Sequence, residues 1–72
     1  MNEFCSTLRE RRKRVGLSQR KLAERAELNI ETIRHIERGQ TKKPYKYTVD
    51  AINAVIEKER QNKLRVLAEK EK

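Results

Sequence analysis

Tryptophan is absent from the 72 residues, and cysteine, histidine, proline, methionine and phenylalanine each occur once. A lone Cys5 cannot close an intrachain disulfide, and with His35 as the only imidazole there are too few soft ligands for a multi-cysteine zinc site. No apolar run approaches the roughly 18 residues of a membrane span, and the N-terminus has no apolar stretch of the signal-peptide kind. The expectation is a soluble chain in a reducing, intracellular compartment. Catalysis is not expected either. His35 is the one candidate general base, and neither a nucleophile nor a metal-ligand spacing accompanies it. Cys5 has no acidic or histidine neighbour in sequence to activate it, so it reads as a small core filler. No cofactor, no metal and no catalytic residue is called for.

What the sequence has in abundance is charge, at 42% of residues against 35% hydrophobic. So short a chain supplies one thin core, which excludes a second full domain and leaves the fold to patterning. Nineteen Lys and Arg stand against eleven Asp and Glu, for a net +8. Residues 1–15 carry five cations and two anions, and residues 41–48 carry three cations and no anion. The intervening stretch is nearly neutral. Two basic segments therefore bracket the middle of the chain, an arrangement suited to a polyanion, whose counterions are released when Lys and Arg neutralise its phosphates. A well-hydrated surface is the simpler reading of the same composition.

The apolar spacing is helical throughout, and no strand pattern or internal repeat is present. Phe4, Leu8 and Val15 fall on one face and Gly16 follows as a stop, which predicts a first helix over about residues 2–15. Ser18 is an N-cap for a short second helix carrying Leu22, Ala23 and Ala26. Asn29 caps a third, with Glu31 in its positive first turn, Ile33 and Ile36 as its stripe and Gly39 at its end. Thr41 to Tyr47 holds Lys42, Lys43, Pro44 and Lys46 without apolar periodicity and reads as a basic loop. Thr48 is then the expected cap of a fourth helix built on Val49, Ile52, Val55 and Ile56. Beyond it EKERQNK is polar all round, and Leu64, Leu67 and Ala68 restore a small stripe. The expected organisation is one folded helical unit over 1–60 and a charged helical tail over 61–72. Tyr45 and Tyr47, on either side of Lys46, are expected to lie as a lid on the core, base stacking in single strands being the other reading.

Two short capped helices joined by about three residues form the helix-turn-helix arrangement, in which the second helix enters the DNA major groove. At roughly 100° per residue with Ile33 as zero, Ile36 lies near −60°, whereas Arg34, Arg38, Glu31 and His35 fall between about 100° and 200°. The four polar side chains share a face opposite the isoleucines. Ile30, near 60°, borders the two and can meet either the core or a thymine methyl group. Arg34 has the paired donors for guanine O6 and N7, and Glu31 can accept from cytosine N4. The plainer roles are a phosphate contact for Arg34 and a dipole partner for Glu31.

The stretch LSQRKLAERAELNIETIRHIERGQ, from Leu17 to Gln40, resembles the helix-turn-helix of the Cro and lambda-repressor (XRE) family of phage and bacterial regulators. The likeness covers about residues 8–56. It rests on Leu17, Ser18, Gln19, Leu22, Ala23 and Glu24, on Thr32 and Ile33, and on Ile36 to Gly39. TKKP, from Thr41 to Pro44, is similar to the loop by which small phage repressors grip the DNA backbone. The resemblance implies an all-α, lambda-repressor-like domain of four to five helices. It assigns base reading to Ile30, Glu31, Arg34 and His35, and backbone contacts to Ser18, Gln19, Asn29, Arg38, Thr41, Lys42, Lys43 and Lys46. Arg12 and Glu37 match a pair that in relatives forms an ion pair beneath the recognition helix. Two departures stand out. Glu27 holds the turn position where members usually have glycine, at a cost of about 1 kcal/mol or more, and the glycine that commonly ends the fourth helix is missing, which favours one longer C-terminal helix.

The implied function is that of a small, sequence-specific repressor of phage or mobile-element type in the bacterial cytoplasm, binding an inverted-repeat double-stranded operator as a homodimer. Leu64, Leu67 and Ala68 are a candidate dimer stripe. The alternatives are a protein-interaction adaptor or antitoxin-like module using its tail from Glu57 to Lys72 to hold a protein partner, and an excision or replication accessory factor.

Overall fold

A computed structural model of the chain describes residues 3–70, with side chains described through Arg65. It is all-helical over that span: α1 Glu3–Arg14, α2 Gln19–Ala26, α3 Ile30–Glu37 and α4 Lys46–Lys70. The all-α class expected from the periodicity is the one observed.

The first three helices end in the same way. After α1, Gly16 takes φ +74°, its N–H donates to Lys13 O, and Leu17 N–H reaches Arg12 O at 3.1 Å. After α2, Glu27 takes φ 57° and ψ 43°, its N–H donates to Glu24 O, and Leu28 N–H reaches Ala23 O at 2.9 Å. After α3, Gly39 takes φ +79°, with Gln40 N–H on His35 O at 2.9 Å. Each is a paired closure of the last turn through a left-handed residue, satisfying carbonyls that the helix leaves without partners. Two of the three use glycine. At the second, Glu27 adopts the left-handed backbone despite its Cβ, so the glycine-type turn is preserved with the strain retained.

The starts follow their caps as expected for α2 and α3. Ser18 Oγ accepts from Lys21 N–H at 3.0 Å, and Asn29 Oδ1 accepts from Glu31 N–H at 2.8 Å. Helix α4 departs from expectation. It begins at Lys46, because Tyr45 O accepts from both Thr48 N–H and Val49 N–H at 3.0 Å. Thr48 therefore does not cap α4; it lies inside the first turn and is buried.

Leu8, Leu22, Ile33, Ile36 and Ile52 are fully enclosed, one or two from each helix, with Cys5, Val15, Leu17, Ala23 and Ile56 completing the core. Phe4, Leu28, Ile30 and Val55 pack half-buried on its margin. Helix α2 lies against α3 and α4, and α1 against α3 and α4, so every helix contributes to one centre. Cys5 is indeed core, and its Sγ–H donates to Thr41 O at 3.3 Å, pinning the loop after α3 to α1.

The tyrosine expectation is corrected. Tyr45 is 73% and Tyr47 66% exposed, and neither covers the core. The two rings stack on each other instead, centroids 5.6 Å apart and 10° from parallel. The reason is register: with α4 starting at Lys46, the inward positions of its first turns fall to Thr48 and Ile52.

Helix α4 runs unbroken through the boundary expected after Arg60. At about 1.5 Å per residue its 25 residues span roughly 37 Å, which accounts for the longest dimension of 45 Å against 22 and 19 Å for the others. Leu64 is half-exposed. The side chains of Leu67 and Ala68, its expected companions in a dimer stripe, lie outside the described residues. No helix among the described residues is long and apolar enough to cross a membrane.

Candidate nucleic-acid interface

The α2–turn–α3 unit is set on α1 by one ion pair. Arg12, two residues before the end of α1, donates through Nε to Glu37 Oε2 at 2.8 Å and through Nη2 to Glu37 Oε1 at 3.0 Å. Its remaining arm, Nη1, donates to Leu17 O at 2.8 Å. Gln19 Nε2 adds a third donor to Glu37 at 3.2 Å. The side chains of Arg12 and Glu37 are 8% and 4% exposed. A buried, two-pronged arginine–carboxylate pair has little angular freedom, and this one joins the end of α1, the start of α2 and the last residue of α3. Glu37 thereby fixes the orientation of α3.

On α3 the polar face is as the helical arithmetic places it. Ile33 and Ile36 are buried, while Glu31 and His35 are exposed and Arg34 is partly so. Glu31 lies between the two basic side chains, with Oε1 2.5 Å from Arg34 Nη1 and Oε2 3.8 Å from His35 Nε2. The face thus presents a carboxylate acceptor beside guanidinium donors, two complementary groups within one turn. Ile30 is half-buried against the core. Asn29 is exposed at the head of the helix and Arg38 at its tail.

Lys42 and Lys43 stand exposed in the following loop, and Lys46 at the first residue of α4, whose first turn holds no carboxylate. Thr41 is half-buried, held by the Cys5 contact. Between α1, α2 and α3 a polar recess of about 420 Å³ is lined by Arg9, Arg12, Ser18, Gln19, Glu37 and Arg38. Ser18 and Gln19 bring the α2 N-terminus to it, with the partial positive charge of a helix start. The resemblance put Gln19 on phosphate; here its amide already donates to Glu37.

Arg9 is the residue that sequence reasoning missed. It lies one turn before Arg12 on α1 and so shares its side of the helix, an i, i+3 spacing that is itself a signal in the sequence. Tyr45 and Tyr47, which the sequence predicts over the core, stand in solvent beside the basic loop. Among the described residues no group of three or more His, Cys, Asp or Glu is placed to hold a metal ion.

A family model described as a helix-turn-helix domain matches residues 3–57. No curated protein and no solved structure matches the chain. The matched span takes in α1, the whole of α2–turn–α3 and the part of α4 that packs on them, and the chain belongs to the helix-turn-helix domain family, a family of DNA-binding domains.

Proposed function

We propose that the chain is a sequence-specific, double-stranded DNA-binding transcription regulator, a small repressor of the Cro and lambda-repressor kind from a phage or mobile element, acting on an inverted-repeat operator as a homodimer in the bacterial cytoplasm. The observation that carries the reading is the α3 face, where Glu31, Arg34 and His35 project together from a helix whose opposite side is locked by Ile33, Ile36 and the Arg12–Glu37 pair. In this reading Arg34 donates to guanine and Glu31 accepts from cytosine, with Ile30 and His35 reading neighbouring edges. Ser18, Gln19, Asn29, Arg38, Thr41, Lys42, Lys43 and Lys46 hold the flanking phosphates, which position the helix without specifying sequence. Repression follows from occupying the site and excluding polymerase. No reaction and no cofactor enter this reading.

The test is binding of a labelled random-sequence duplex of about 20 base pairs, long enough for two half-sites a helical turn apart, followed by anisotropy over a range of salt. The logarithm of affinity is expected to fall linearly with that of salt, as counterion release requires. Absence of binding at low salt, with a stoichiometric protein partner recovered in a pull-down, would instead favour an adaptor that uses α4 beyond Glu57.

A further inference from the structure

Tyr45 and Tyr47 are the only tyrosines of the chain, and both are turned to solvent at the point where the basic loop enters α4. They are also ordered against each other, in a near-parallel stack. An exposed, mutually stacked aromatic pair has apolar faces left to bury and two phenolic O–H donors left to place. Its surroundings select the occupant. Lys42, Lys43 and Lys46 flank it, and no carboxylate occurs between Glu37 and Asp50. Protein–protein interfaces are enriched in tyrosine but depleted of lysine, so three lysines around two tyrosines fit a polyanion better than a protein surface. The loop is also anchored: Cys5 holds Thr41, and Tyr45 O receives the first bonds of α4. The pair is therefore offered from a fixed support.

We propose that the Tyr45–Tyr47 stack is a second DNA contact, separate from the α3 face, which lies against the sugar–phosphate backbone flanking the major-groove site. The ring faces cover deoxyribose carbons, and the phenol O–H groups donate to phosphate oxygens while the three lysines neutralise the same stretch of strand. Such a contact adds affinity on every sequence and discrimination on none. The proposal rests on the DNA-binding reading above and extends it to residues that reading leaves unused.

The chain has three phenyl-type rings, Phe4, Tyr45 and Tyr47, and no tryptophan, so its aromatic NMR spectrum resolves the stack directly. With ¹³C-labelled protein and a random-sequence duplex of about 20 base pairs, the ring signals of both tyrosines are expected to shift on binding while those of Phe4, at the core margin, stay in place. The variant Tyr45→Ser/Tyr47→Ser, altered only at exposed positions, should keep its helical circular dichroism. It should lose on the order of a hundredfold in affinity, as expected for two net hydrogen bonds to charged groups at the weaker end, equally on any duplex. Tyr45→Phe/Tyr47→Phe should recover part of the loss, separating ring contact from hydroxyl donation. If the duplex binds with the tyrosine signals unmoved, or if the serine variant binds as tightly as the parent, the stack is no DNA contact and the α3 reading survives. If no duplex binds at all, both readings fall together.

Discussion

Under the proposed function, Arg34 and Lys43 are the two residues whose replacement separates base reading from backbone contact. Arg34 projects from the middle of α3 with its guanidinium already oriented by Glu31, whereas Lys43 is an exposed loop cation. Arg34→Ala is expected to cost about 1 to 3 kcal/mol on a specific site and to relax the base preference there, while Lys43→Ala weakens all sequences alike and lowers the salt slope by about 1. Titration of both variants on specific and random duplexes checks this; equal losses on the two for Arg34→Ala would remove it from base reading. Arg12 has a different kind of importance. Arg12→Met leaves the Glu37 carboxylate buried with only Gln19 as a donor, which should cost about 3 to 5 kcal/mol, and Arg12→Met/Glu37→Met should be more stable than the single variant because it removes the stranded charge. Urea denaturation at low temperature, followed by circular dichroism, measures both. A loss under about 1 kcal/mol for Arg12→Met would mean that the pair is not what holds α3 in place.

Among the helices, the turn from α2 to α3 carries the one left-handed non-glycine residue among those described. Glu27→Gly relieves that strain without changing the turn, and is expected to stabilise the domain by about 1 kcal/mol, visible as a higher melting temperature. A destabilised variant would show that the Glu27 side chain contributes more than its backbone costs. Helix α4 is supported along its exposed half by local pairs, and the Glu57 carboxyl is held below its ordinary range by the hydrogen bond from Gln61 and by the charge of Arg60. Because the folded value is the lower one, this support is complete above the ordinary glutamate range and is lost as pH falls through the lowered value. Helix ends were legible where a side chain or glycine dictates them: Ser18 and Asn29 start α2 and α3, and Gly16 and Gly39 stop α1 and α3. The start of α4 was not, since after Pro44 the choice between Tyr45 and Thr48 depends on which carbonyl receives the first bonds, a matter of packing at Thr48 and Ile52. The position of the tyrosines is illegible for the same reason, because an amphipathic ring suits core and surface equally and only the register of α4 decides between them.

At the scale of the molecule, three short helices and the first turns of α4 enclose one core, and the rest of α4 extends beyond it. The Arg12–Glu37 pair entered through family resemblance and could not be read from residue spacing, since 25 positions separate its members in sequence. The recess with Arg9 needed the fold, because α1, α2 and α3 meet there only in three dimensions. A domain with one reading helix grips too few bases to be selective by itself, which is why a second copy on a two-fold site belongs to the proposed function. The measurement to make first is enrichment of binding sites from a random duplex library at near-physiological salt, with the survivors sequenced. A regulator of this kind enriches an inverted repeat whose half-sites are about 10 base pairs apart, with G·C pairs within reach of Arg34 and Glu31; retention of the library without any enriched sequence would refute base-specific reading by α3.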